Sequence, residues 1–421
     1  MPTRLYPRLT LALLTGLNIL NYIDRSVLWA VQPLVKDEFK VTDAQIGLLT
    51  TTFFWFYMCA APFIGYLGDR YSRRHIVAVG IMIWSGFTFL TAITHTFNEL
   101  MVRHILVGIG EASYASIAPT LVADLFPLER RGRMLAIFSA GLPFGTAVGY
   151  LVGGIMGQHF HDWRPPFLVA GIPGFILAVI FWFLPEPPRG MTDAGEARAV
   201  QLNRHSLVTI FENKAFLSAT FGLAMYTFAM GGLQAWIPTF LTRVRTMSLG
   251  DATTIFGAIT CFNGIVATLI GGWIGDRLLK RYAGAYYTFS GVAMLVSVPL
   301  MIMAIYLTGK VMFPAMFVAE FFLLINTGPV NAALVNSVGP NIRATAMAVN
   351  IFLIHLLGDA SSPWVIGKIS DMSSLQTGFS ATFVAAALSG FILIYGAKFA
   401  PNILKRPIQK TEGGAGPFRP A

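Results

Sequence analysis

Apolar residues run through this sequence in twelve long blocks separated by short polar breaks: roughly 9–35, 44–67, 75–95, 98–125, 134–158, 166–184, 215–241, 252–275, 285–307, 311–336, 343–366 and 379–399. A bilayer core about 30 Å thick is crossed by about 20 apolar residues of helix, so each block can span it. The runs are continuous, unlike the alternating segments of a membrane β-barrel. The pattern therefore predicts an all-α integral membrane protein with twelve transmembrane helices. The first block follows Arg4 and Arg8 in the manner of a signal peptide. It continues through Asn21-Tyr22-Ile23-Asp24-Arg25 with no small-residue cleavage site, which predicts a retained helix.

Composition sharpens the class. Of 421 residues 55% are hydrophobic and 12% charged, against about 25% charged in soluble domains. So thin a polar shell does not cover 34 Phe, 17 Met and 8 Trp in water. A soluble enzyme, a nucleic-acid binder and a disordered chain are excluded. The net charge of +10 is a topology signal: with both termini on the cytoplasmic side, that side holds 21 Lys and Arg and the other holds 7. This bias obeys the positive-inside rule, so no nucleic-acid partner is needed to explain it. A bacterial-type inner or plasma membrane is expected to hold the chain. Cys59 and Cys261 both lie in apolar runs, which leaves no disulfide framework.

The longest polar stretch, Pro185 to Lys214, divides the chain into residues 1–184, a cytoplasmic linker at 185–214, and residues 215–421. The two parts repeat each other. Gly65, Asp69, Arg70, Arg73 and Arg74 after span 2 recur as Gly272, Asp276, Arg277, Lys280 and Arg281 after span 8, each displaced by 207 positions. Pro127, Arg130 and Met134 recur as Pro340, Arg343 and Met347, displaced by 213. Two six-helix halves related by an axis along the membrane normal are a known transporter plan, with the substrate site between them near the midplane.

The loop after span 2 resembles the signature loop of the major facilitator superfamily, and the copy after span 8 is similar to its second-half version. Four stretches resemble the spinster group of lipid transporters: Leu20 to Arg25, Gly110 to Tyr114 with Ala118-Pro119-Thr120, Glu186 to Gly190, and His355-Leu356-Leu357-Gly358-Asp359. The first is shared with organic-anion symporters. The resemblance implies two pseudo-symmetric six-helix bundles, a cavity lined by spans 1, 4, 7 and 10, and a gating latch at Asp69, Arg70, Asp276 and Arg277. It also implies lysophospholipid or sphingoid-phosphate substrates.

Charges inside spans are costly, roughly 2.5 kcal/mol or more at a helix centre, and mark function. Asn21, Asp24 and Arg25 share a face of span 1, and Arg103, Glu111 and Tyr114 share one of span 4. Asp24 and Glu111 fall near the midplane and are the expected proton-coupling pair. Asn21, Arg25, Arg103 and Tyr114 are expected at the substrate, joined from spans 7 and 10 by Tyr226, Gln234, Glu320 and Asn331. His355 and Asp359, one turn apart, form a secondary polar pair. The superfamily often places an Arg where this chain has His104, so the roles of Arg103 and His104 stay open. Glycines 141, 145, 149, 153 and 157 form a stripe in span 5. Thr260, Gly264, Thr268 and Gly272 form another in span 8, and the two are expected to pack across the halves.

The sequence has no Walker A loop and no nucleophile elbow. It predicts a non-enzymatic secondary transporter with no cofactor beyond a coupling proton, working as a monomer in the bilayer on anionic or zwitterionic amphiphiles. A symporter of small organic anions is the alternative reading, and a membrane-embedded lipid enzyme is a third.

Overall fold

A bilayer offers peptide groups no water, so each apolar run closes into a helix that pairs its own N–H and C=O groups. The computed structural model describes residues 6–189, 204–339 and 342–401, and these contain helices and no strand. Spans 1 to 4 are Tyr6–Phe39, Asp43–Arg70, Arg73–Thr91 and Phe97–Leu125. Span 5 is broken into Leu128–Ser139 and Gly141–Phe160, and span 6 is Pro165–Phe183. After a short helix, Arg204–Glu212, spans 7 to 9 are Lys214–Arg243, Leu249–Leu279 and Ala285–Tyr306. Span 10 is broken into Met312–Leu324 and Thr327–Ser337. Span 11 runs through Arg343–Ile354, a π-helical turn His355–Asp359 and Ser362–Met372, and span 12 is Ser380–Gly396. Eleven of these twelve are long and apolar enough to cross a membrane. Span 1, which buries Asn18, Asn21, Asp24 and Arg25, is the polar exception.

The expected all-α, twelve-span architecture is present. Linker residues 190–203, together with Arg4, Pro340 and the tail from residue 402, lie outside the described residues. Span 11 continues to Met372 rather than ending at residue 366, which carries Asp371 to the end of the bundle opposite the termini, called distal below.

One expectation about packing is overturned. The glycine stripe of span 5 faces span 1 of its own half rather than span 8. A Cβ on Gly149 would lie 2.6 Å from the Ile23 carbonyl oxygen, and one on Gly153 would lie 2.7 Å from the Ala30 Cβ. Backbones this close exclude any side chain between them. Gly264 of the span 8 stripe does meet the other half, where an added Cβ would lie 2.6 Å from Pro143 of span 5, and Gly154 of span 5, outside its stripe, abuts Thr253. Thr260 turns instead to Glu320, and Gly272 meets Gly328 of span 10.

At the distal end the halves are locked together. The Asp43 carboxylate, at the start of span 2, accepts from Arg243 at 2.6 and 2.7 Å, from Lys36 at 2.5 Å and from Ser370 at 2.5 Å. Asp371 in turn accepts the backbone N–H groups of Asp43 and Ala44 at 2.8 and 2.9 Å, so span 11 caps a helix of the other half. Gly47 and Gly367 allow the two backbones to touch, at Pro363 and Asp43 respectively. At the terminal end Leu128–Ser139, Thr327–Ser337 and Arg343–Ile354 pack within their own halves. Among the described residues hydrogen bonds and ion pairs join the halves at the distal end and none joins them at the terminal end.

Candidate functional site

Span 1 brings Arg25 to the centre of the bundle, where its Nε donates to Glu111 Oε2 of span 4 at 2.8 Å. Arg25 is 8% exposed and Glu111 not at all. Around the guanidinium stand the rings of Tyr22, Phe53, Phe54 and Tyr57, with centroids 4.9 to 5.4 Å from its carbon. Desolvated cation–π contacts contribute about 2 kcal/mol or more, and the ion pair offsets part of the cost of burying two charges. Glu111 Oε1 has no hydrogen-bond partner among the described residues. The pair therefore holds together while leaving acceptor capacity unused. Asn21 faces Glu111 without closing a bond of ordinary geometry.

The second half completes this cage. At His355–Asp359 span 11 leaves regular helical geometry, with Gly358 at φ −104° and ψ −110°. Thr227 donates to the Ile354 carbonyl at 3.0 Å and abuts Gly358, where a side chain would collide. Such π-helical turns frequently mark functional sites. His355 pairs with Asp359 at 2.9 Å and stacks on Phe54 with centroids 5.7 Å apart. The polar pair of span 11 thus leans on the same rings that hold Arg25.

Other expected site residues are distributed differently. Asp24 turns toward Trp84 and Thr88 of span 3, away from the cage, and both its buried oxygens lack hydrogen bonds of ordinary geometry among the described residues. Asp24 stays within electrostatic reach of Glu111 and Arg25, but only Glu111 bonds the guanidinium. Arg103 does not reach the centre. It donates to the Leu90 carbonyl and to Thr94 at the distal end of span 3. His104 takes the inward position instead, buried against Phe53 at 5.0 Å. Tyr114 donates to the Leu14 carbonyl at 2.6 Å and packs among Trp84 and Phe138, a role in helix packing rather than at a cavity. Tyr226 and Thr327 share a hydrogen bond of 3.2 Å. Asn331 is exposed at the open end and donates to the Thr327 carbonyl of its own helix. Gln234 and Glu320 line an apolar pocket inside the second half, between spans 7, 8, 9 and 10.

The loops after spans 2 and 8 are not engaged across the halves here. Asp69 is exposed and its carboxylate forms no ion pair among the described residues; Arg70 lies over the Tyr66 ring. Asp276 accepts from Tyr286 at 2.6 Å within its own half, and Arg277 covers Trp273. Arg73 is the buried residue of that loop. It pairs with Asp124 at 2.6 Å and Glu186 at 3.2 Å, and donates to the Pro187 carbonyl at 3.0 Å. Arg189 adds bonds to the carbonyls of Gly68 and Tyr71, so Pro185 to Arg189 belong to the first half rather than to a free linker. Burial opposes charge on Glu186, but the Ser72 hydroxyl and the N–H groups of Arg73 outweigh it and hold this carboxyl below its usual range.

Sequence reasoning missed the Phe53, Phe54 and Tyr57 rings, the distal lock and the Arg73 centre. Aromatic residues at one- and four-residue spacing on span 2 were the available signal for the cage. The lock had none, since its residues lie up to 328 positions apart.

Two six-helix halves around a buried, partly unsatisfied ion pair define a major facilitator transporter, and residues 14–363 match the Major Facilitator Superfamily. The chain is 36% identical over 387 residues to protein spinster homolog 1 of Xenopus laevis, covering 87% of this chain and 73% of that one. It is 33% identical over 422 residues to the sphingosine-1-phosphate transporter SPNS2 of Danio rerio, covering 93% and 83% respectively. The chain belongs to the spinster family. Its fold is similar to a bacterial homologue of human lysosomal spinster in an inward-facing, unoccupied conformation, with TM-score 0.85 at 23% identity over 95% of this chain and 98% of that one. A D-xylose–proton symporter shares the fold at TM-score 0.73 and 17% identity, over 95% and 99%.

Proposed function

We propose that this protein is a secondary transporter of single-chain amphiphiles of the lysophospholipid or sphingoid-phosphate type, working by alternating access and driven by protons. The observation that carries this reading is Arg25, a buried cation whose only ion partner among the described residues is Glu111. An anionic head group arriving from the open end competes with Glu111 for the guanidinium. Displaced into a low-dielectric pocket, Glu111 takes up a proton, because an unpaired buried carboxylate is costly. Head group and proton then bind together, and closure of the terminal end over both would carry them across. Asp24, which forms no ion pair of its own among the described residues, is the second carrier, and His355 with Asp359 the third place a proton can rest. The loop residues Asp69, Arg70, Asp276 and Arg277 would latch the terminal end when it shuts. The bias of 21 cationic residues against 7 supports cytoplasmic termini, which makes the arrangement described above inward-open. The sphingosine-1-phosphate transporter among the relatives supports the substrate class.

The test is uptake into proteoliposomes under an imposed pH gradient, with a lysolipid set against hexuronates and aromatic acids. Glu111→Gln should still bind and exchange substrate but lose gradient-driven accumulation. If Glu111→Gln and Asp24→Asn both concentrate substrate as the parent does, the coupling assignment is wrong. Accumulation of the small acids alone would replace the lipid reading with organic-anion symport.

A further inference from the structure

Glu320 of span 10 is a buried carboxylate that the transport reading does not use. It is 5% exposed, and no Lys, Arg or His pairs with it among the described residues. Its Oε1 accepts from the Thr260 hydroxyl of span 8 at 2.8 Å, and its Oε2 has no hydrogen-bond partner among the described residues. Asn263, fully buried on the next turn of span 8, repeats the arrangement. Its Nδ2 donates to the Phe317 carbonyl of span 10 at 2.9 Å, and its Oδ1 has no partner among the described residues. Thr260 and Asn263 share a face of their helix. A helical side chain leans back over the turn before its own Cα, so the Glu320 carboxylate lies toward Phe317, where Asn263 is already bound. The carboxylate of Glu320, the hydroxyl of Thr260, the amide oxygen of Asn263 and the carbonyl of Phe317 therefore gather within about one helical turn. Span 10 then breaks, because Met312–Leu324 ends one turn past Glu320, and the negative end of its dipole adds to this field.

We propose that this oxygen cluster binds a dehydrated Na+ between spans 8 and 10. Hard cations take oxygen ligands, and every group gathered here offers oxygen. One carboxylate matches one positive charge, which selects a monovalent ion; among the described residues no group of three or more His, Cys, Asp and Glu is placed to hold a metal. A carboxylate without a cation is costly in a low-dielectric interior. The ion supplies the missing charge and engages both oxygens that lack a donor, Glu320 Oε2 and Asn263 Oδ1. Half-helix C-terminal ends and free carbonyls hold Na+ in other transporters. The site lies in the half opposite Asp24 and Glu111, and it stands or falls without reference to the substrate. Thr260 is one turn from Gly264, which meets Pro143 of the first half. An ion that ties span 8 to span 10 therefore stiffens the helix that carries this contact between the halves.

The experiment measures melting of the full-length protein in detergent as NaCl replaces KCl or N-methylglucamine chloride at one pH and constant ionic strength. A ligand that binds only the folded state raises the melting temperature with the logarithm of its concentration, so the parent should rise with Na+ and stay flat in K+. Glu320→Gln and Asn263→Leu should lose the rise, while Thr260→Ser, which keeps the hydroxyl, should retain it. Binding of radioactive Na+ to the parent, displaced by Li+ but not by K+, gives a second readout that stands even if a variant fails to fold. A parent that melts alike in all three salts and retains no radioactive Na+ overturns the proposal and leaves Glu320 to a proton. A rise with Na+ that folded Glu320→Gln and Asn263→Leu both keep places the ion elsewhere and overturns it too. Because no lipid is present, neither result bears on the transport reading.

Discussion

Asp43→Asn tests whether the distal lock holds this conformation. The carboxylate is 3% exposed and receives two cations, Arg243 at 34% and Lys36 at 30% exposure. Asparagine keeps the size and one acceptor oxygen but removes the charge both cations face. Hydrogen bonds to a charged group are worth about 1.5–3 kcal/mol when shielded, and pairs open to solvent about 1 kcal/mol or less. Lys36 belongs to the same half as Asp43, so Arg243 is the cation that counts toward the lock, and with that side chain one-third exposed its discounted value is about 1 kcal/mol. That is roughly a five-fold change in the ratio of distally closed to distally open molecules. A distally open population of about 1% in the parent would rise to about 5%. Spin labels at Asp37 and Met372, both exposed at the distal end of opposite halves, would report this as a second, longer distance. Ser370→Ala, which removes one neutral donor to the same carboxylate, should produce a smaller shift. A distance distribution in Asp43→Asn identical to the parent's would refute the lock, whatever its geometry.

Arg25→Ala should abolish binding of a lysolipid measured by calorimetry, and Arg25→Lys should keep only part of it, since an ammonium lacks the planar fork that grips a carboxylate or phosphate. Gly149→Ala pushes a methyl against the Ile23 carbonyl and should lower stability by about 1–3 kcal/mol. Gly86→Ala, which meets nothing within 4 Å, should not, and melting curves in detergent compare the two. Glu186 has its folded pKa lowered, so its contribution is complete above the unfolded value near 4.5 and is lost as pH falls through the folded one. The melting temperature of Glu186→Gln should therefore lie below the parent's at neutral pH, and the gap should close in acid below about pH 4.5.

Hydropathy alone was enough to determine twelve helices, their order and the six-plus-six division, because in lipid the backbone has one economical solution for each apolar run. The charged positions of span 1 and span 4 were legible for the same reason: a charge in hydrocarbon persists only where it is used. Partners were not legible. Asp24 and Arg25 are neighbours in sequence and point about 100° apart, but that one meets span 3 and the other Glu111 was decided by the tilt and rotation of packed helices. The choice of His104 over Arg103 turned on the same rotation. The five glycines announced a close helix contact but not with which helix, since smoothness suits any partner; packing selected span 1. Asp43 looked like an ordinary residue at a helix start. Its role arises from Arg243, Ser370 and Asp371, which the fold brings to it from the other half, and no local pattern encodes a contact between residues 200 to 328 positions apart.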